Sequence, residues 1–376
     1  MQLSDFDDIR PFAEGEMKAA FDSMLADRQF DKILQGLIPL PKGLRNWLLR
    51  KLFIGIKTPQ DFQLRYMKPL VYYVWHKTTT GHTASFPKSL DKKGSYTFMS
   101  NHRDIVLDSA FLDTFLVNDG FAKTVEIAIG DNLLIYPWIK TLVRMNKSFT
   151  VNRGLTPKEM LRSSVHMSKY MHFAINEKHE NIWIAQREGR AKDSDDRTQD
   201  SVLKMLNMGG PTDGKTTADI IRNLRDMNIV PLAISYEYDP CDYLKAKEFQ
   251  CKRDIAGWKK AKQDDLDNMK TGIWGKKGHV HYQAADCING WLDSLDAEAI
   301  TPKDLYRLVA EHIDKEIHKN YRIYDINRDA LAGRTNEYIE SRIKMVDVEN
   351  PDVPFLREKI TAMYANPLRN HEQAIA

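Results

Sequence analysis

The sequence is poor in cysteine. Its three, Cys241, Cys251 and Cys287, stand far from any C-x-x-C spacing. That speaks against a zinc ribbon and a disulfide framework, and a reducing compartment is the simpler expectation. Long apolar runs are missing too. Nothing approaches the ~18 uninterrupted apolar residues of a membrane-crossing helix. Neither sign of charge dominates: 55 Lys plus Arg against 52 Asp plus Glu leaves +3, too little to point to nucleic acid. The opening MQLSDFDDIRPFAEGE is acidic and has no apolar core, unlike a secretory signal. There is no internal repeat and no low-complexity tract.

What is present suits a folded chain. Hydrophobic residues at 42% and charged residues at 28% exclude a collagen, a mucin-like stalk and a largely disordered polymer. At ~150 residues per unit, 376 residues suggest two or three structural units. Residues 1–80 read as a helical N-terminal region and 81–300 as an α/β domain. Residues 301–376 read as a C-terminal helical extension.

Within 81–300, short apolar runs alternate with helix-length periodic segments. Strands are expected at 96–99, 125–129, 149–151, 181–186, 229–236 and 279–284. Helices are expected at 105–117, 133–145 and 217–227. Two more open at Thr156-Pro157-Lys158-Glu159 and Thr301-Pro302-Lys303-Asp304. Thr before Pro is a strong helix start, and Glu159 completes a capping box. Strands alternating with helices at this spacing predict an α/β fold, with a mixed, largely parallel sheet flanked by helices. The apolar positions of 130–143 are read first as core packing, and second as part of the lining of an apolar groove.

The densest chemistry lies in YTFMSNHRDIVLDSAFL. A strand runs out at Met99, and Ser100, Asn101, His102, Arg103 and Asp104 crowd the turn before a helix. A histidine there, with a carboxylate to orient it, makes a general base. The plainer readings are that Asp104 caps the helix and that Asp108 is a solvated first-turn acid. His-Arg-Asp also occurs in protein kinases, but there an Asn follows five positions after the Asp. Ser109 stands at that position here, so the kinase reading is discarded.

Three more segments follow in order: NKSFTVNRG (146–154), WIAQREGRAK (183–192) and IVPLAISYEY (229–238). Together the four stretches resemble the ordered blocks of the glycerolipid acyltransferase superfamily, which includes glycerol-3-phosphate and 1-acylglycerol-3-phosphate acyltransferases. The resemblance spans roughly residues 96–239. Two departures stand out. Five residues rather than four separate His102 from Asp108, and Glu188-Gly189-Arg190 lacks the residue the family places between Gly and Arg.

The resemblance implies acyl transfer from acyl-CoA or acyl-carrier protein to a hydroxyl of glycerol 3-phosphate or a lysophospholipid. His102 would be the base and Asp108 its partner, with Asp104 in reserve. Arg153 and Arg190 would grip the acceptor's phosphate, a task a planar guanidinium suits. Lys192 competes with Arg190 for the family's arginine role, and Arg103 counts among the substrate-binding candidates. Glu188 and Gly189 would shape the turn, and Pro231 would fix strand geometry near the donor. No metal and no cofactor beyond the acyl donor is expected. The alternatives are another lipid hydroxyl or amine as acceptor, or a non-catalytic lipid-binding protein of the same fold.

Between Lys32 and Gln60 there is no acidic residue. Lys32, Lys42, Arg45, Arg50, Lys51 and Lys57 alternate with Leu44, Trp47, Leu48, Leu49, Leu52, Phe53, Ile54 and Ile56. This pattern fits a helix lying in a membrane surface as well as a core helix with a basic outer face. The expected location is cytoplasmic, free or peripheral on the inner face of the membrane.

Overall fold

A computed structural model describes residues 1–334 and 336–376, with Lys262 described by its backbone alone. Seven strands form one sheet: β1 (Thr79–Ser85), β2 (Thr97–Ser100), β3 (Val125–Gly130), β4 (Ser148–Val151), β5 (Asn181–Ala185), β6 (Ile229–Tyr236) and β7 (Gly278–Ala284). Their order is β1-β7-β6-β2-β5-β3-β4. Every pairing is parallel except β6 with β7. The expected mixed, largely parallel α/β sheet with helical ends is the observed one.

Six strands lie where the sequence places them, within a residue or two. β1 is the exception. Its TTGHTAS has no apolar alternation, and it is a half-exposed edge strand paired with β7. Along β2 and β5, alternate side chains part company. Phe98 and Trp183 enter one core, while Met99, Ile182 and Ile184 enter the other. This is the two-residue period of strands covered on both faces. One core packs against the Lys68–Thr78 and Leu107–Asn118 helices. The other packs against Pro157–Asn176, Asp200–Met208, Thr217–Asp226 and Pro302–Lys319. Both Thr-Pro starts cap their helices: the Thr156 hydroxyl and backbone N–H donate to the Glu159 carboxylate, and the Thr301 oxygen accepts from the Asp304 N–H.

The N-terminal helices Met17–Ala26, Arg28–Leu37 and Lys42–Phe53 build a separate cluster with Trp138, Leu142 and Met145. The apolar face of residues 137–145 is therefore core. The Lys42–Phe53 helix turns Arg45 inward, onto Asp31, so one of the six cations read as surface charge is buried. Its Trp47, Leu48 and Leu52 stay exposed. The charged stretch after β6 forms two helices, Asp242–Asp254 and Lys262–Trp274. The chain ends in Asp325–Leu331, Glu337–Ile343 and Val353–Ile375, which share a small core of their own.

Candidate active site

β2, β5, β3 and β4 run parallel, so the loops after them leave the same edge of the sheet. That edge, beside a reversal of strand order, is where open α/β sheets bind ligands. The loop after β2 is fixed first by Asn101. Its side-chain amide donates to the Ile234 carbonyl at 2.9 Å and accepts from the Ile234 N–H at 2.8 Å, tying β2's end to β6.

His102 comes next. Its Nδ1 lies 2.8 Å from Asp108 Oδ2. With Nδ1–H donating to that carboxylate, Nε2 carries the free lone pair. The ring edge stands against Trp183, with centroids 5.4 Å apart, and 13% of the His102 side chain reaches solvent. Asp108 is wholly buried, which the reading of a solvated acid did not allow. Its Oδ2 also accepts the Arg103 and Asp104 N–H groups at 2.6 and 3.0 Å. Its Oδ1 accepts the Tyr236 hydroxyl at 3.2 Å, and its carbonyl accepts the Tyr282 hydroxyl at 3.1 Å. Asp104 does not touch the ring. Its Oδ1 accepts Val106 and Leu107 N–H at 2.9 and 2.8 Å, so it caps the first turn of the Leu107–Asn118 helix. Burial raises its carboxyl above the usual range, and the Asp108 charge adds to this.

Tyr236 and Tyr282 were not anticipated. Tyr236 ends β6 at the site's edge, so its position in the strand was a usable signal. Tyr282 arrives from the antiparallel β7, and nothing in the sequence announces it. Burial keeps both phenols protonated far beyond their ordinary range, so both remain donors.

The cations divide into two groups. Arg153, after β4, pairs with Glu188, after β5, at 3.1 Å, and both are well exposed. Gly189 takes a φ of 69° in that turn, a left-handed conformation that glycine adopts without steric cost. Arg190 donates from Nη2 to Asn268 at 3.0 Å, while its Nη1 is buried without a hydrogen-bond partner among the described residues. Lys192 is held by Glu248 at 2.5 Å. Arg103 is buried, points to Asp196 at 3.6 Å and stacks over Tyr321. It lies against a cavity of about 30 Å³ bordered by Ser194, Asp239 and Tyr364. The sequence places Arg103 with the substrate residues. The structure turns it into the protein, because Asp196 offers a buried countercharge there. Pro231 sits inside β6 opposite Met99, and its carbonyl accepts the Ala285 N–H.

A larger cavity, about 100 Å³, opens on the other side of the same loop. Val106, Leu107 and Ala110 at the start of one helix face Leu70, Val71 and Val74 from another, and Ile273 lines it too. The lining is mostly apolar, as ligand pockets are. His102 lines neither of these two cavities.

Among the described residues no helix is long and apolar enough to cross a membrane. No protein-family model and no curated protein matches the chain. Among solved structures, the chain is similar to the crystal structure of the 1-acyl-sn-glycerophosphate (LPA) acyltransferase, PlsC, from Thermotoga maritima. The identity is 11% and the TM-score 0.39, over 80% of this chain and 97% of that one.

Proposed function

We propose that this protein is an acyltransferase that moves a fatty acyl group from a thioester, on coenzyme A or a carrier protein, to the hydroxyl of glycerol 3-phosphate or a lysophospholipid. The observation that carries the reading is the 2.8 Å contact between His102 Nδ1 and a buried Asp108, which leaves Nε2 as a base at the binding edge of the sheet. The order of the four sequence blocks supports it.

In this reading Nε2 takes the acceptor's hydroxyl proton as the oxygen attacks the thioester carbonyl. The imidazolium that forms is stabilised by Asp108. The tetrahedral intermediate collapses, the C–S bond breaks, and the proton passes from Nε2 to the departing thiolate. Base catalysis of this kind contributes roughly 10²–10⁴-fold. No acyl-enzyme forms. Arg153, once Glu188 gives way, and the free Nη1 of Arg190 are the groups assigned to the acceptor's phosphate. The apolar cavity receives part of an acyl chain, and the exposed Trp47, Leu48 and Leu52 of the Lys42–Phe53 helix rest on the bilayer surface.

The test is His102→Ala in a thiol-release assay with acyl donor and glycerol 3-phosphate or lysophosphatidate. Loss of turnover is expected, and unchanged turnover removes His102 from the mechanism. One observation favours a second acceptor class. Arg103, Arg153 and Lys192 each already face a carboxylate, so an uncharged lipid hydroxyl or an amine needs less rearrangement than a phosphate. Acceptor screening separates the two.

A further inference from the structure

The Lys68–Thr78 helix has one face in the core and one exposed, although the Tyr72 hydroxyl on the exposed side donates to Asn118 Oδ1 at 3.0 Å. Val71, Val74 and Trp75 point inward, while Leu70, Tyr72 and Tyr73 stand outward, 47%, 42% and 52% exposed. Beside Tyr73 lies Trp274, 50% exposed, at the end of the Lys262–Trp274 helix. Their rings meet edge to face at 6.1 Å. Single exposed apolar residues are ordinary. Four aromatic or large aliphatic side chains on two adjoining elements are not.

Charge sets this surface apart as well. No acidic residue occurs between Asp61 and Asp91, nor between Asp267 and Asp286. The cations in those stretches flank the aromatics: Lys68 Nζ lies 6.0 Å from the Tyr72 ring, and Lys77 Nζ lies 5.8 Å from the Tyr73 ring. Lys270 and Lys276 border Trp274 in sequence. Tyr and Trp with one wet and one dry end, on stretches that carry cations and no acids, match the headgroup layer of an anionic bilayer.

Two further facts fix the place. Leu70 belongs both to this surface and to the wall of the 100 Å³ cavity, and Ile273, next to Trp274, lines that cavity. The segment just before that helix is tied to the end of the Lys42–Phe53 helix, where Arg65 Nη1 and the Tyr66 hydroxyl donate to the carbonyls of Ile54 and Leu52 at 2.7 and 2.5 Å.

We infer that the Leu70–Tyr73 face and Trp274 form a second lipid-contact surface at the mouth of the cavity, and that the partner is the headgroup layer of an anionic membrane. What enters the cavity from there, an acyl chain, rests on the function proposed above; the contact itself does not. Membrane contact at Trp274 also bears on the site. Two residues earlier, Gly272 packs directly on the Asp104 carboxylate, and a Cβ there would stand 2.1 Å from Oδ2. One turn further back in the same helix, Asn268 accepts from Arg190. The segment that touches lipid is thus the one packed on Asp104 and Arg190.

The experiment is co-sedimentation of the full chain with phosphatidylethanolamine vesicles containing phosphatidylglycerol. The paired change Trp274→Ser with Tyr73→Ser is expected to weaken partitioning about tenfold. Lys77→Glu, a surface change that leaves the core alone, is expected to weaken it less, with the loss growing as phosphatidylglycerol is added. Thermal unfolding checks that each variant is folded. Partitioning of both variants equal to the parent overturns the inference. So does retention by purified acyl-carrier protein that the variants lose while vesicle binding stays unchanged. His102→Ala is expected to bind vesicles as the parent does. If it also retains acyl transfer, the catalytic reading falls and the surface stands. If the surface variants bind normally while His102→Ala is inactive, the reverse holds.

Discussion

The two halves of the candidate site are built to different standards. On the β2 side, His102, Asp108 and Asn101 are held by hydrogen bonds within their own loop and from two strands, β6 and β7. Asp108 alone accepts from the His102 ring, two backbone N–H groups and the Tyr236 phenol, with the Tyr282 phenol on its carbonyl. On the β4–β5 side, Arg153 and Glu188 meet in solvent, and one guanidinium nitrogen of Arg190 has no hydrogen-bond partner among the described residues. In the proposed reading, the base is organised before anything binds, and the side assigned to the acceptor's anion is left for a ligand to complete. The contrast is physically reasonable, because a base gains from rigid placement, whereas a clamp must open to admit its acceptor.

The largest effect expected from breaking the rigid half is Asp108→Asn. An amide cannot stabilise an imidazolium, and it presents an N–H₂ to donors that need an acceptor. Turnover should fall by roughly 10⁴-fold, the scale seen when a triad aspartate loses its charge. Unpaired backbone donors should also lower the urea unfolding midpoint, by about 1–3 kcal/mol of stability. Wild-type turnover in a folded Asp108→Asn would mean that the 2.8 Å contact serves the fold and not a reaction.

How much of this was legible follows the same division. The period-two and period-3.6 patterns gave six of the strands, because central strands and their covering helices are dictated by local burial. His102 and Asp108 were legible because one short segment holds both, so the turn alone decides their meeting. Arg103 was not. Its direction depends on Asp196, ninety-three residues away in the chain. β1 was missed because an edge strand needs no apolar alternation to pair. Tyr282 was missed because β7 reverses direction, and no residue of β7 records that.

The open half predicts smaller changes, separated by parameter. Arg153→Ala should raise KM for a phosphorylated acceptor about tenfold or more, the worth of a charge-assisted hydrogen bond, with kcat nearly unchanged, as uniform binding requires. An uncharged acceptor should show no change in KM. An equal loss with both acceptors would indicate that Arg153 supports the loop and binds no anion.

Glu188→Gln should have the smallest effect and divides the two halves most finely. As an exposed ion pair, Arg153–Glu188 contributes about 0–1 kcal/mol, so the unfolding free energy should move by less than that. Its carboxylate nevertheless occupies Arg153 Nη1 at 3.1 Å, where a phosphate would sit. Removing the charge removes a competitor, so KM for a phosphorylated acceptor should fall by about two- to threefold, while neutral acceptors are unaffected. The glutamine keeps the side-chain length, so the turn at Gly189 is undisturbed. A rise in KM with every acceptor would show that Glu188 itself receives the acceptor's hydroxyl. The β4–β5 side would then be a built site as well, and the contrast with the β2 side would be one of solvent exposure alone.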